Sequence, residues 1–219
     1  MKKKLSKKII LLCVIMFAFL FSSNSQDTIR IKHTNYTTVF SKLKRYPVLI
    51  EWWETKTSVR CETPLPRKNK FSPDPSLPIE TNLSIDYIGS NIDRGHMCPA
   101  ASNQCLGEKI LTECFYFSNI IPQSHTLNIG SWKTLEILTR TIAFDKDSVH
   151  VWCGAVGKIR TFGVHNVTVP SKCWKVIYIK KTKEYRSYIF NNDNLKSDGI
   201  ENNKVKLSDV EKLTKFKFK

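Results

Sequence analysis

Four consecutive residues, Asp93-Arg94-Gly95-His96, bring together side chains suited to phosphate chemistry. A guanidinium grips phosphate oxygens through paired N–H donors, and an imidazole takes a proton from water near neutral pH. Two stretches rich in amides follow: Ser118-Asn119-Ile120-Ile121-Pro122-Gln123, then Leu127-Asn128-Ile129-Gly130-Ser131-Trp132 running on to Leu135-Glu136. A neutral amide oxygen can ligate a hard cation such as Mg²⁺, which takes one or two protein oxygens and keeps several waters. Asn128 is equally well placed as a helix N-cap. On a continuous helix, Asn128 and Glu136 would lie ~12 Å apart along the axis. Glu136 is therefore expected to hold a metal-bound water and not to share direct ligation. Trp132, between them, reads as core packing. His33, His125, His150 and His165 fit no such pattern, although His125 lies between the two amide stretches. Asp74, in Pro73-Asp74-Pro75, reads as a turn residue.

The elements that must hold these residues can be read from patterning. YPVLIEWW (46–53) is rich in β-formers and predicts a strand. The proline- and charge-studded stretch from Cys61 to Pro78 predicts a long loop. LSIDYIGSN reads as extended and leads directly into Asp93. SNQCLGEKILTECF has helical character behind a Ser102 cap, and FYFSNIIPQ predicts a short strand ended by Pro122. From Asn128, the spacing of Trp132, Leu135, Leu138, Thr139 and Ile142 predicts a long amphipathic helix. SVHVWCGAV, KCWKVIYIK and YRSYIF are β-rich, and the first two suit antiparallel pairing. A final helix, SDVEKLT, is expected behind a Ser208 cap. This order predicts an α+β domain with an antiparallel sheet core and a few helices.

Together, DRGHMCPAA, FYFSNIIPQ and LNIGSWKTLE resemble the DNA/RNA non-specific endonuclease family, and the likeness runs from about Tyr46 to the end of the chain. The resemblance implies a ββα-metal (His-Me finger) active site. It implies His96 as the general base, Asn128 as the protein ligand of one Mg²⁺ (Mn²⁺ being a compatible substitute), and Glu136 as orienting the metal's waters. Arg94 would contact phosphate, and Asn119 would position groups near the scissile bond. The products would carry 5′-phosphates, with DNA and RNA as substrates. The chain departs from the family pattern in two places. Ser102-Asn103 stand where an acid is usual after Pro99-Ala100-Ala101, and Arg67 is offset from Phe71 relative to the family's upstream arginine, a substrate-binding position.

Composition sets the wider frame. The chain has 219 residues and a formal net charge of +16. MKKKLSKK followed by 13 apolar residues (IILLCVIMFAFLF) and SSNSQ has the form of a cleaved export signal, and the apolar run is shorter than the ~20 residues of a membrane span. The expected organisation is a signal at 1–25, a lead-in at 26–45 and the endonuclease domain at 46–219. The product would be secreted or periplasmic with no stable membrane partner. Losing residues 1–25 removes five lysines and no acid, leaving +11. That surplus favours a polyanionic partner, although runs such as Lys180, Lys181 and Lys183 read singly as solvated faces. Six cysteines then remain, and in an exported chain they are expected to pair, with at most one free thiol and Cys153–Cys173 as one pair. A homodimer is compatible with the sequence. Two rivals share the scaffold: a phosphodiesterase of small phosphoesters, and a silent polyanion-binding module.

Overall fold

A computed structural model describes residues 27–77, 83–193, 195 and 199–219; the expected leader lies outside them. In chain order the strands are β1 (Thr28–Lys32), β2 (Tyr36–Ser41), β3 (Tyr46–Thr55), β4 (Asp93–His96), β5 (Ile120–Gln123) and β6 (Ser148–Val156). They continue as β7 (Arg160–Phe162), β8 (Val167–Val169), β9 (Lys172–Ile179), β10 (Glu184–Asn191) and β11 (Lys204–Val205). The helices are α1 (Lys56–Val59), α2 (Ser84–Tyr87), α3 (Glu108–Glu113), α4 (His125–Leu127), α5 (Lys133–Lys146) and α6 (Leu207–Thr214).

Seven strands form one sheet in the order β1-β2-β3-β6-β9-β10-β11, antiparallel at every pairing. The expected α+β class is what the chain adopts. Alternation along β3, β6 and β9 sends Ile50, Trp52, Val149, Val151, Ile177 and Ile179 to the inner face, where they pack with Trp132, Leu135 and Ile142. The buried positions of α5 (Leu135, Thr139, Ile142, Ala143) recur at the three-to-four spacing read from the sequence. Leu49, Trp152, Trp174 and Val176 point to the outer face, where Val210 of α6 and the C-terminal Phe218 cover them. Trp132 and Trp174 are fully buried, and truncating either to Ala would cost about 3–5 kcal/mol. Among the described residues, no helix is long and apolar enough to cross a membrane.

Several elements differ from the sequence reading. The expected lead-in supplies β1 and β2, two strands of the main sheet; its alternation (Tyr36, Thr38 and Phe40 buried) is hidden by threonines. LSIDYIGSN is not extended. Asp86 accepts the Leu83 N–H at 3.0 Å and winds a short helical turn. Ser102 is no cap either: its hydroxyl donates to Glu54 at 2.8 Å, and α3 begins only after Gly107. The last helix opens at Leu207, where Asp209 accepts the Lys206 N–H, so Ser208 is likewise not its cap.

The cysteine expectation is also corrected. Cys61–Cys105 is a disulfide, with Cα atoms 5.7 Å apart. Cys98, Cys114, Cys153 and Cys173 are buried free thiols. Cys153 and Cys173 do lie on neighbouring strands, but Cys153 faces Lys175 and Cys173 faces Ala155, two residues out of register.

Candidate active site

β4 and β5 form a separate antiparallel pair, with Asp93 opposite Gln123, Arg94 opposite Pro122, Gly95 opposite Ile121 and His96 opposite Ile120. Strand alternation puts Arg94 and His96 on one face and Asp93 and Gly95 on the other. Gly95 has a steric reason: a Cβ there would overlap the Gln123 side chain, with Cδ only 2.9 Å away. Pro122 falls inside β5 and does not end it, since the short two-stranded pairing tolerates a missing donor.

The Arg94 and His96 face meets the long proline-rich loop. Phe71 lies under the Arg94 guanidinium at 4.4 Å and against the His96 ring at 5.3 Å. Phe115 stands edge-on to His96 at 5.1 Å, with the Arg67 guanidinium 5.6 Å from its ring. The loop thus delivers Phe71 and Arg67 together. His96 is buried, and its Nε2 has no hydrogen-bond partner. Burial, with the charges of Arg67 and Arg94, lowers its pKa to about 3, so the imidazole is neutral at neutral pH. The His96 carbonyl accepts the Trp132 indole N–H at 3.2 Å, which ties the strand to the turn leading into α5.

Asn119 is fully buried behind this strand. Its Oδ1 accepts the Cys98 N–H at 2.9 Å, and its Nδ2 donates to the carbonyls of Cys98 and Cys114, each at 2.8 Å. It braces the backbone just after His96.

Asn128 sits beyond α4, where its Nδ2 donates to Asp93 Oδ2 at 2.8 Å. His125 Nδ1 meets the same oxygen at 3.0 Å. An ionised carboxylate only accepts, so the amide nitrogen must face Asp93 and the amide oxygen is turned away from it. The chain then leaves the helical path at Gly130 (φ −96, ψ −113) before α5 starts. The continuous helix assumed between Asn128 and Glu136 is therefore interrupted. Glu136, half-buried in the first turn of α5, has its carboxyl raised by burial, against the opposing charges of Lys175, Arg140 and Arg67. Arg67 thus acts on both His96 and Glu136. Among the described residues, no three His, Cys, Asp or Glu side chains converge as a metal cage. The donors present are an amide oxygen and a carboxylate, the set a hard, hydrated cation takes.

Residues 16–219 match the sequence pattern of the DNA/RNA non-specific endonucleases. The chain belongs to that family. It is 33% identical over 167 residues to "Nuclease EXOG, mitochondrial" of Mus musculus, covering 70% of this chain and 45% of that protein. It is 33% identical over 170 residues to "Nuclease" of Serratia marcescens, covering 70% and 62%. The chain therefore spans about half to three-fifths of the length of these relatives. The structure superposes on that reported as the EndoG/EndoGI complex with a TM-score of 0.78 at 28% identity, covering 86% of this chain and 84% of the other.

Sequence reasoning named His96, Arg94, Arg67, Asn119, Asn128 and Glu136, and the fold gathers all six around β4 and the entry to α5. It missed Phe71 and Phe115, whose aromatic character beside a basic loop was the available signal. It also missed Asp93 as the group orienting Asn128; His125, which fits no motif position, is exposed and meets the same Asp93 oxygen. His33 and His165 lie elsewhere, paired with Asp74 at 3.1 Å and Asp86 at 3.0 Å. Asp74 does sit in a turn, but a buried one, where it accepts the Ser118 hydroxyl.

Proposed function

We propose that this chain is an exported, Mg²⁺-dependent endonuclease that hydrolyses phosphodiester bonds of DNA and RNA without reading sequence. The observation that carries the reading is the unpartnered, aromatic-walled Nε2 of His96 beside the exposed guanidinium of Arg94. His96 takes a proton from water as the water oxygen bonds to phosphorus. The bond from phosphorus to the 3′ oxygen breaks, leaving a 5′-phosphate on one product. The 3′ oxygen departs with the electron pair and takes a proton from solvent to become the other product's 3′-hydroxyl. The free imidazole is a weak base because burial, and with it two guanidinium charges, holds its pKa down. A phosphate seated against Arg94 and Arg67 offsets those charges, so substrate raises the basicity of His96 where the proton must be taken. Asn119 holds the backbone after His96 in place.

Asn128, with its amide oxygen turned out by Asp93, would hold Mg²⁺, and Glu136 would orient the ion's waters. When bound, the ion supplies Lewis-acid stabilisation of charge on the phosphate and the departing oxygen. Export rests on residues 1–25, with their basic start, apolar run and polar end.

The test is incubation of the chain lacking residues 1–25 with plasmid and Mg²⁺, with and without chelator. Nicking that progresses to a smear, abolished by chelator, is expected. An intact plasmid with hydrolysis of a dinucleotide ester would favour a small-substrate phosphodiesterase. Binding without cleavage of either would leave only a polyanion-binding module.

A further inference from the structure

The outer face of the main sheet carries an aromatic row that the reaction does not use. Strand register places Trp53 opposite His150, His150 opposite Tyr178, and Tyr178 opposite Tyr185, so four rings line up across β3, β6, β9 and β10. Neighbouring strands are ~4.8 Å apart, which makes the row roughly 14 Å long. Trp53 and His150 are stacked at 4.5 Å with an interplanar angle of 11°. Tyr178 and Tyr185 are 4.8 Å apart. The segment that caps this face, α6 with Phe216 and Phe218, packs over Leu49, Trp152, Trp174 and Val176 and reaches the tyrosine end of the row. Trp53 remains 42% exposed.

Trp53, stacked on His150 and still partly open to water, offers flat aromatic surface to a further ring. The chemistry around it points to a polyanion. Lys180 holds its ammonium 5.9 Å from the Trp53 ring, and Lys181 and Lys183 follow in the β9–β10 turn. On the other side, Lys32, Thr34, Asn35 and Glu51 share a groove of about 370 Å³ with Trp53 and His150. Glu51, the acid in that groove, is already taken by Arg30 and by the Trp152 indole N–H. Flat rings in a row with cations at the edge are what successive unpaired bases and their phosphates require.

We propose that this row is a second nucleic-acid contact, on which the bases of a single strand stack while Lys32 and Lys180 meet its phosphates. It lies on the sheet face opposite α5, away from His96, and the inference rests on the nuclease reading above. A duplex keeps its bases in its own stack and gains nothing from the rings. The site therefore favours single strands, whether substrate ahead of cleavage or product behind it.

The test is binding of a labelled oligothymidylate to the chain lacking residues 1–25, in chelator so that no cleavage occurs. Trp53→Ala is expected to weaken single-strand binding roughly tenfold, while Trp53→Phe retains it. Duplex affinity and hydrolysis of a dinucleotide ester should stay unchanged in both variants. Unaltered oligothymidylate affinity in Trp53→Ala would overturn the proposal. So would an equal loss for single strand and duplex, or a wild-type dimer that Trp53→Ala dissociates, since the row would then be a subunit contact. Failure of the nuclease reading shows separately, as a wild-type chain that leaves plasmid intact with Mg²⁺ present, whatever it does to the dinucleotide ester.

Discussion

At the scale of single residues, His96 is defined by what surrounds it more than by its neighbours in sequence. In an unfolded chain an imidazole takes its proton near pH 6.5; in this fold it does so only at about 3. Between those values the unfolded state binds the additional proton, so stability falls as pH drops. This group contributes at most about 1.4 kcal/mol per pH unit to that fall. His96→Gln is therefore expected to flatten the decline in melting temperature between pH 6.5 and 4, read by calorimetry against wild type. Parallel curves would assign the acid sensitivity to other groups. In the same protein, turnover of plasmid should fall by about 10²–10⁴-fold, with nucleic-acid affinity kept. Asn128→Ala is expected to weaken Mg²⁺ binding in titration calorimetry far more than Asn103→Ala does, because Asn103 is spent on Pro99 and Asn35. An unchanged Mg²⁺ isotherm in Asn128→Ala would remove it as ligand. The motif made Arg94, His96, Asn128 and Glu136 legible in the sequence. Phe71 and Phe115 were not, because their role exists only once a loop and a strand far apart in sequence close around one ring.

At the scale of elements, periodicity gave β3, β6, β9 and the face of α5, where one side of each is mainly apolar despite the buried Glu54, Lys175 and Thr139. It failed where polar side chains serve the backbone instead of the surface, as Asp86 does in winding α2 and Ser102 in reaching Glu54. The turn between Asn128 and α5 was also illegible, since Gly130 breaks the helical path without breaking the apolar spacing. Cysteine parity misled for a related reason: counting thiols says nothing of strand register. The Cys61–Cys105 bond closes a loop of 44 residues that carries Arg67 and Phe71. By chain entropy such a closure is worth about 4 kcal/mol. Cys105→Ser is thus expected to lower the denaturation midpoint and to reduce turnover, because the loop that walls His96 is untied at one end. Thiol titration of the wild-type chain lacking residues 1–25 should find four groups, reactive only in denaturant. Two or fewer would mean that a second pair closes after folding.

At the scale of the whole molecule, charge and surface decide how a substrate is met. The sequence made the basic surplus legible, +16 before and +11 after loss of residues 1–25. It did not show how the fold divides that surplus between the β4 face and the outer sheet face, because that depends on register. The groups gathered at β4 are two guanidiniums, an amide oxygen, a carboxylate and an imidazole. In the proposed reaction all of them address a phosphate or its metal, and among the described residues no helix or loop at the site presents a row of side chains to base edges. Phosphate contacts fix the position of a protein on nucleic acid without encoding sequence. Cleavage products of a mixed-sequence duplex should therefore form a near-continuous ladder, and RNA of matched length should be cut as well. Each phosphate neutralised releases condensed counterions, so affinity falls with a log–log salt slope of about −0.9 per contact on duplex and about −0.7 on single strands. If several lysines and arginines act together, binding between 50 and 200 mM salt should drop by orders of magnitude. Discrete bands at one short motif, inertness toward RNA, or an affinity indifferent to salt would each contradict a site that reads only the backbone.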